Sequence, residues 1–197
     1  MCIRDRTGTA NFKDVIEAYT DKVIDGYKLD ETNPVNVPLE ISHDESKNVI
    51  KVYYVKDSFK YSVEYYFDGI IDSSMTVTGT ANFKDIIDSY TDKVIDGYKL
   101  EKTENLPLTI SSNKDANVIR VYYVKNEFGY SVHYFYDGTE DTSKLETGVK
   151  TFGETIGYTD KVIDGYRLDY TDPASGEITI SSKADENVIN EMCIRDR

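Results

Sequence analysis

The sequence predicts a β-rich α+β protein made of small units in tandem, and three observations carry the prediction. Whole phrases recur: TGTANFKD starts at Thr7 and Thr78, TDKVIDGY at Thr20, Thr91 and Thr159, and NVIKVYYVK at Asn48 returns as NVIRVYYVK at Asn117. A period of about 70 residues marks a tandem array of one supersecondary unit. Apolar and polar residues alternate at several places, which is the spacing of a half-buried strand. The composition is 39% hydrophobic and 12% aromatic, with 17 Tyr and no Trp, too apolar for a disordered acidic tail.

The units are unequal. One complete copy, 58–126, lies between a copy without its opening strand, 7–57, and one without its closing strand, 127–191. The hexapeptide MCIRDR stands at both ends, residues 1–6 and 192–197, and holds both cysteines and four of the arginines. It resembles the translation of a transposase adaptor used in sequencing libraries, so both copies are set aside from fold reasoning. What remains has no cysteine, which excludes a disulfide framework and thiol chemistry. The whole chain carries 36 acidic against 23 basic residues, a net charge of −13. That balance argues against nucleic acid or anionic lipid as a partner, since both need clustered Lys and Arg. No apolar run approaches the roughly 18 residues of a membrane span.

Within the complete copy the elements follow in order. Tyr61, Val63, Tyr65 and Phe67 alternate with Ser62, Glu64 and Tyr66 as a first strand. Asp68-Gly69 closes it in a turn, and a return strand is expected over Met75 to Thr80. Phe83, Ile86, Ile87 and Tyr90 fall at helical spacing, and Asn82 with Asp85 resembles a capping box, so a short helix is expected there. The third copy keeps Thr151 and Glu154 but has Gly153 and Gly157 inside the segment, which a helix disfavours. Leu106, Leu108 and Ile110 alternate around Pro107, an edge-strand pattern. Ile119, Val121 and Tyr123 form the inner face of the last strand. Strand, strand, helix, strand, strand with a helix on one face of the sheet reads as a β-grasp (ubiquitin-like) unit. The array is expected as beads on a string.

At this point the residues carry a family resemblance. YSVEYYFDG, the Thr-Gly before the helical segment, KVIDGYKL and NVIRVYYVK resemble the mucin-binding-protein (MucBP-like) repeats of Gram-positive surface adhesins. The most specific element is Ile-x-Gly-Tyr-x-Leu, at Ile24, Gly26, Tyr27 and Leu29 and again from Ile95 and Ile163. The resemblance covers 7–191 and implies tandem β-grasp repeats on an extracellular, cell-wall-anchored protein, without enzymatic activity or cofactor. Mucin-type glycans or a host surface protein are the partners it implies.

The residues themselves offer no catalytic constellation. His43 and His133 lie in different copies and do not recur, which suits surface or strand-filling roles. The acidic loops Asp68–Asp72 and Asp137–Asp141 lack the ligand spacing of a calcium loop and read as solvated turns. Lys93 and Asn117 recur, as the partners of an isopeptide crosslink would, but also read as a solvated lysine and a turn residue. The outward face is the candidate ligand site. If Val63 and Val121 point in, then Glu64, Tyr66, Arg120 and Tyr122 share the open side of two neighbouring strands. Such an aromatic face rimmed by charge suits sugar or protein contact, or simply stabilises the sheet as a cross-strand pair.

The expected function is that of a surface-adhesin fragment whose repeats extend a stalk and contact mucin-type glycans or host protein. Two alternatives stay open, a pure spacer with no ligand and the non-catalytic repeat region of a larger extracellular enzyme. The missing end strands add one more expectation. Each would leave unpaired backbone at a sheet centre, along Val49 to Lys56 and along Tyr130 to Tyr136, and so favour head-to-tail self-association.

Overall fold

The computed structural model describes residues 7–196. The first MCIRDR copy and Arg197 lie outside the described residues. The first copy contributes four short strands, β1 (Val15–Ile16), β2 (Tyr27–Leu29), β3 (Leu39–Glu40) and β4 (Tyr54–Lys56). The second contributes seven: β5 (Ser58–Phe67), β6 (Ile70–Ile71), β7 (Val77–Asn82), β8 (Ile86–Ile87), β9 (Tyr98–Glu104), β10 (Leu108–Thr109) and β11 (Val118–Lys125). The third repeats that series as β12 (Glu127–Tyr136), β13 (Thr139–Glu140), β14 (Glu146–Thr151), β15 (Thr155–Gly157), β16 (Tyr166–Asp172), β17 (Glu177–Thr179) and β18 (Val188–Arg195).

Topology repeats with the sequence. In the second copy a five-stranded sheet runs β6-β5-β11-β9, with β7 also on β5; in the third it runs β13-β12-β18-β16, with β14 on β12. The first and last long strands of the third copy are parallel neighbours, and β16 runs antiparallel to β18. Small two-stranded sheets complete each copy: β1-β3, β10-β8 and β15-β17. Asp68-Gly69 and Asp137-Gly138 make the hairpin turns, all four with positive φ, the backbone of a type I′ turn.

The expected short helix is not there. Among the described residues the only helical segments are three-residue 3-10 turns, so the fold is β-rich, as expected, without the short helix expected in each unit. The reason is local. Asp85 does bond back to the Asn82 backbone, its Oδ2 accepting from Asn82 N at 3.1 Å, but Lys84 between them has φ +64°. A left-handed residue in the first turn stops a helix before it starts. Lys13 and Gly153 hold the same place with φ +68° and +78°. Ile86 and Ile87 then pair with Thr109 and Leu108 as a strand, which suits β-branched side chains.

Two compact units divide the chain, one of 7–62, 78–88 and 107–118, the other of 63–77, 89–106 and 119–196. Their limits do not follow the repeat boundaries. In the first, Phe83, Leu108 and Ile110 are the buried apolar residues. In the second, the buried side chains include Val63, Tyr65, Ile119, Val121 and Tyr123, and a cluster of Val132, Tyr134, Ile178, Ile180 and Ile189. Burying each such side chain stabilises by about 1.5–3 kcal/mol before entropy is counted.

The third copy is not without its closing strand. β18 continues through Asn190 and Glu191 into Met192, Cys193, Ile194 and Arg195 of the terminal hexapeptide, in parallel register with Ser131–Tyr136. Backbone hydrogen bonding does not depend on side-chain identity, so these residues fill the ladder. Their side chains fit the core less well. Glu191 is fully buried where the second copy has Val121, and one of its carboxylate oxygens has no partner. In the first copy, by contrast, β4 pairs with β2 alone among the described residues.

Candidate functional site

β5 and β11 lie side by side, and β11 is flanked on its other edge by β9. With Val63, Tyr65, Ile119, Val121 and Tyr123 buried, the opposite face carries Glu64, Tyr66, Arg120 and Tyr122, all half-buried. The structure therefore brings the four sequence-predicted residues together. Tyr66 and Tyr122 stack with ring centroids 4.8 Å apart at 24°. The Tyr66 hydroxyl donates to Glu64 Oε2 at 2.8 Å, and Arg120 Nε lies 3.7 Å from the same oxygen.

Register adds two residues that sequence reading missed. β9 sets Lys102 opposite Tyr122 and Glu104 opposite Arg120. Lys102 Nζ sits 4.6 Å from the Tyr122 ring centroid and 2.7 Å from Glu104 Oε1, and the Tyr122 hydroxyl donates to Glu104 Oε2 at 3.0 Å. No motif marks this strand, because its partnership with β11 is long-range; its alternating charges, Lys99 to Glu104, were the available signal. The electrostatics follow from the pairing. The hydrogen bond to Glu64, with burial, raises the Tyr66 phenol above its ordinary value, and burial followed by Glu104 raises Tyr122. Lys102 and then Tyr122 hold the Glu104 carboxyl below its usual range. Two carboxylates, two cations and a stacked aromatic pair thus form a face without net charge, able to stack on a sugar ring and hydrogen-bond its hydroxyls.

The face does not recur. In the third copy His133, Phe135, Asn190 and Met192 occupy the four places, with His133 opposite Asn190 and Phe135 opposite Met192. His133 bonds Glu140 (2.6 Å) and Ser131 (2.9 Å), while His43 stacks on Phe12 at 3.7 Å. The acidic loops are capping turns. Asp72 accepts from Ser74 N at 3.0 Å and Ser74 Oγ at 2.6 Å, and Asp141 from Ser143 in the same way.

What does recur is structural. Asn117 is buried and its amide is fully engaged: Oδ1 accepts from Ser111 N (2.9 Å), and Nδ2 donates to the carbonyls of Ser111 (2.8 Å) and Lys60 (3.3 Å). Asn187 does the same with Ser181 and the Gly129 carbonyl, and Asn48 with Ser42. Lys93 instead lies over the Tyr65 ring, 5.6 Å from its centroid. Asn117, expected as a turn residue leading into a strand, does follow a 3-10 turn and is a buried staple besides; a Ser six residues ahead of each Asn was the legible signal.

A second recurrent contact joins consecutive copies. Gly26 has φ +76°, and a β-carbon there would lie 2.3 Å from the Phe83 ring; Gly97 (φ +75°) meets Phe152 in the same way. Tyr27 and Phe59 pack edge-on to Phe83, as Tyr98 and Phe128 do to Phe152.

No family model matches the chain, and no curated protein matches it. Among solved structures it is similar to the crystal structure of Mub-RV, at 12% identity over 71% of this chain and 100% of that one, with a TM-score of 0.26. It is also similar to the type 2 repeat of the mucus binding protein MUB from Lactobacillus reuteri, at 17% identity over 70% of this chain and 100% of that one, with a TM-score of 0.22. The likeness to these repeats is one of fold alone.

Proposed function

We propose that the chain is a run of repeats from an extracellular bacterial adhesin, whose second copy offers the Tyr66–Tyr122 face to mucin-type glycans or a host protein. The observation that carries this reading is the split between what recurs and what varies. The Asn–Ser staple recurs in all three copies and the Gly–Phe contact at both copy-to-copy joins, as a stalk requires. The outward face differs between copies, as a ligand surface does. The resemblance of the Ile-x-Gly-Tyr-x-Leu stretch to MucBP-like repeats supplies the Gram-positive, wall-anchored setting and a role without catalysis.

One observation favours a second reading, that of a spacer without ligand. The polar groups of the face already pair with one another, Tyr66 with Glu64 and Tyr122 with Glu104. The two readings part on one variant. With Tyr66→Ser and Tyr122→Ser combined, the adhesin reading expects binding to immobilised purified mucin to fall at least tenfold while the circular dichroism spectrum is kept. A spacer shows no mucin binding before or after the change and loses only about 1 kcal/mol, the worth of a cross-strand aromatic pair. Mucin binding that survives the double substitution removes this face from consideration.

A further inference from the structure

The Tyr66–Tyr122 face satisfies its own polar groups, whereas a recess elsewhere on the second copy does not. The Asn117 staple builds that recess. Asn117 Nδ2 donates to the Lys60 carbonyl at 3.3 Å, and Ser62 N donates to the Asn117 carbonyl at 3.0 Å. β5 is thereby fastened to the 3-10 turn Lys114–Ala116, which leads into Asn117. β5 also pairs with β7, where a β-carbon on Gly79 would stand 2.5 Å from the Tyr61 ring that fills its place. The result is an open recess of about 290 Å³, lined by Lys60, Tyr61, Ser62, Thr78, Lys114 and Asp115 beside the staple. Its size is near the lower end of the roughly 300–1,000 Å³ of small-molecule sites, so it suits a single ring. All of these residues belong to the first compact unit.

The recess carries cations that the fold does not use. In a chain of 36 acidic and 23 basic residues, lysines elsewhere find carboxylates: Lys56 pairs with Asp85, Lys102 with Glu104, Lys150 with Glu154 and Lys183 with Glu186. Lys60 and Lys114 are exposed, and among the described residues no ion pair joins either to a carboxylate, the rim residue Asp115 included. The Ser62 and Thr78 hydroxyls likewise have no hydrogen-bond partner among the described residues. Four side-chain donors therefore line one recess. The third copy repeats the scaffold without them. Asn187 Nδ2 donates to the Gly129 carbonyl at 3.2 Å, and Tyr130 fills the place beside Gly148. Gly129 and Ala184, however, stand where Lys60 and Lys114 stand, and the Ser131 hydroxyl is bonded to His133.

We propose that this recess is an anion site for a sulfated sugar, with the Lys60 and Lys114 ammoniums and the Ser62 and Thr78 hydroxyls donating to the sulfate oxygens. A sulfate ester offers three terminal oxygens and no proton, which matches a recess that presents donors from four side chains. Hydrogen bonds between ionised partners are roughly twice as strong as neutral ones, so the two ammoniums supply most of the attraction. Asp115 on the rim accepts from a ring hydroxyl. The net charge of −13 does not prevent this, because charges beyond roughly 8 Å are screened at physiological salt and the local pair decides. The site is separate from the Tyr66–Tyr122 face and does not rest on that face binding anything.

Titration of the full chain with galactose-6-sulfate, followed by amide chemical shifts, tests this, since it detects millimolar binding and names the residues touched. The expected result is saturable shifts at Lys60, Ser62, Thr78 and Lys114, with affinity about fivefold or more above that of galactose and of galacturonic acid. Lys60→Gln combined with Lys114→Gln alters two exposed side chains, so it should keep the melting point and weaken binding about tenfold or more. Lys51→Gln combined with Lys99→Gln removes the same charge from exposed lysines elsewhere and should leave binding within about twofold. Equal losses in the two double variants would reduce the effect to general charge attraction and overturn the proposal. Shifts centred on Tyr66 and Tyr122 would overturn it by assigning the sugar to that face. Galacturonic acid or inorganic sulfate binding as tightly as galactose-6-sulfate would overturn the choice of a sulfated sugar, and no saturable shift at all would overturn the site.

Discussion

At the scale of single residues, two positions carry more of the fold than their chemistry suggests. Gly97 needs a positive φ and also lies under the Phe152 ring, whereas Gly165 needs only the φ. Gly165→Val therefore isolates the backbone strain, about 1–3 kcal/mol. Gly97→Val adds the displaced ring to that strain and should cost at least 1 kcal/mol more. Urea unfolding of the two variants side by side measures the difference, and equal losses would show that the ring gives way freely. Asn117 is the other such position. Replacing it with Ala removes the partner of the Ser111 N–H and of the Ser111 and Lys60 carbonyls in a part-buried place, which should cost about 2–4 kcal/mol at about 1–3 for each orphaned group, partly relieved by water. Asn117→Asp keeps the acceptor for Ser111 N–H but sets a carboxylate against two carbonyls, so it should be no milder. An Asn117→Ala chain that unfolds at the wild-type urea concentration would show that the staple is ornamental.

At the scale of elements, the informative segment is Asn82 to Tyr90, where helical spacing gave way to a tight turn and a two-residue strand. Phe83 is buried and Ile87 half-buried, in different ways, whereas Ile86 is 64% exposed. Phe83 packs against Gly26 and Tyr27, while Ile87 pairs with Leu108. Apolar residues at intervals of three and four can thus arise from a turn followed by a strand. The sign of one substitution separates these accounts. Lys84 has φ +64°, so Lys84→Gly should stabilise by about 0.5–1 kcal/mol by relieving left-handed strain. In a helix the same change would destabilise by roughly that amount. The third copy already has Gly153 at this place.

At the scale of the whole molecule, three copies of one sequence pattern have different interiors. In the second copy Tyr123 donates its hydroxyl to Asp92, and burial with that bond pushes its phenol up to about 12. In the third copy Cys193 takes that place, and Glu191 takes the place of Val121. Burial raises the Glu191 carboxyl above its ordinary value, Asp160 adds to the rise, and the Cys193 thiol's hydrogen bond opposes it. A carboxyl whose folded value is raised stabilises most below its unfolded value of 4.5, and that contribution is lost as pH rises through the folded value. Asp141 runs the other way. Held down to about 2 by Lys144 and Ser143, it contributes above its unfolded value and loses that contribution as pH falls toward 2. The third copy should therefore be more protected from hydrogen exchange near pH 4.5 than at pH 7, and Glu191→Val should remove that difference. At pH 7 the same substitution should stabilise by about 1–4 kcal/mol, because a buried charge with one unpaired oxygen gives way to a methyl-lined core. Exchange protection in the third copy that is identical at both pH values would rule out a buried, uncompensated Glu191.

The sequence by itself determined the period of the array, the strand identity of the long alternating segments, the turns at Asp68-Gly69 and Asp137-Gly138, and the inward and outward faces of β5 and β11. These are local properties: alternation and turn chemistry act through neighbours in the chain, so a single copy displays them. It also placed Glu64, Tyr66, Arg120 and Tyr122 on one face, because side-chain direction alternates strictly along a strand. Only the tertiary structure decided the rest. Lys102 and Glu104 join the face through the register of β9 on β11, which no local pattern encodes. Asn117 becomes a staple because the Lys60 carbonyl of β5, 57 residues away, reaches the amide that already bonds the nearby Ser111. The expected helix yields to a strand because β10 is there to pair with it. The glycines of Ile-x-Gly-Tyr-x-Leu read as turn residues in sequence, and become sockets only because the next copy brings a phenylalanine over two of them. In each case the deciding partner lies far along the chain, and packing rather than propensity selects the outcome.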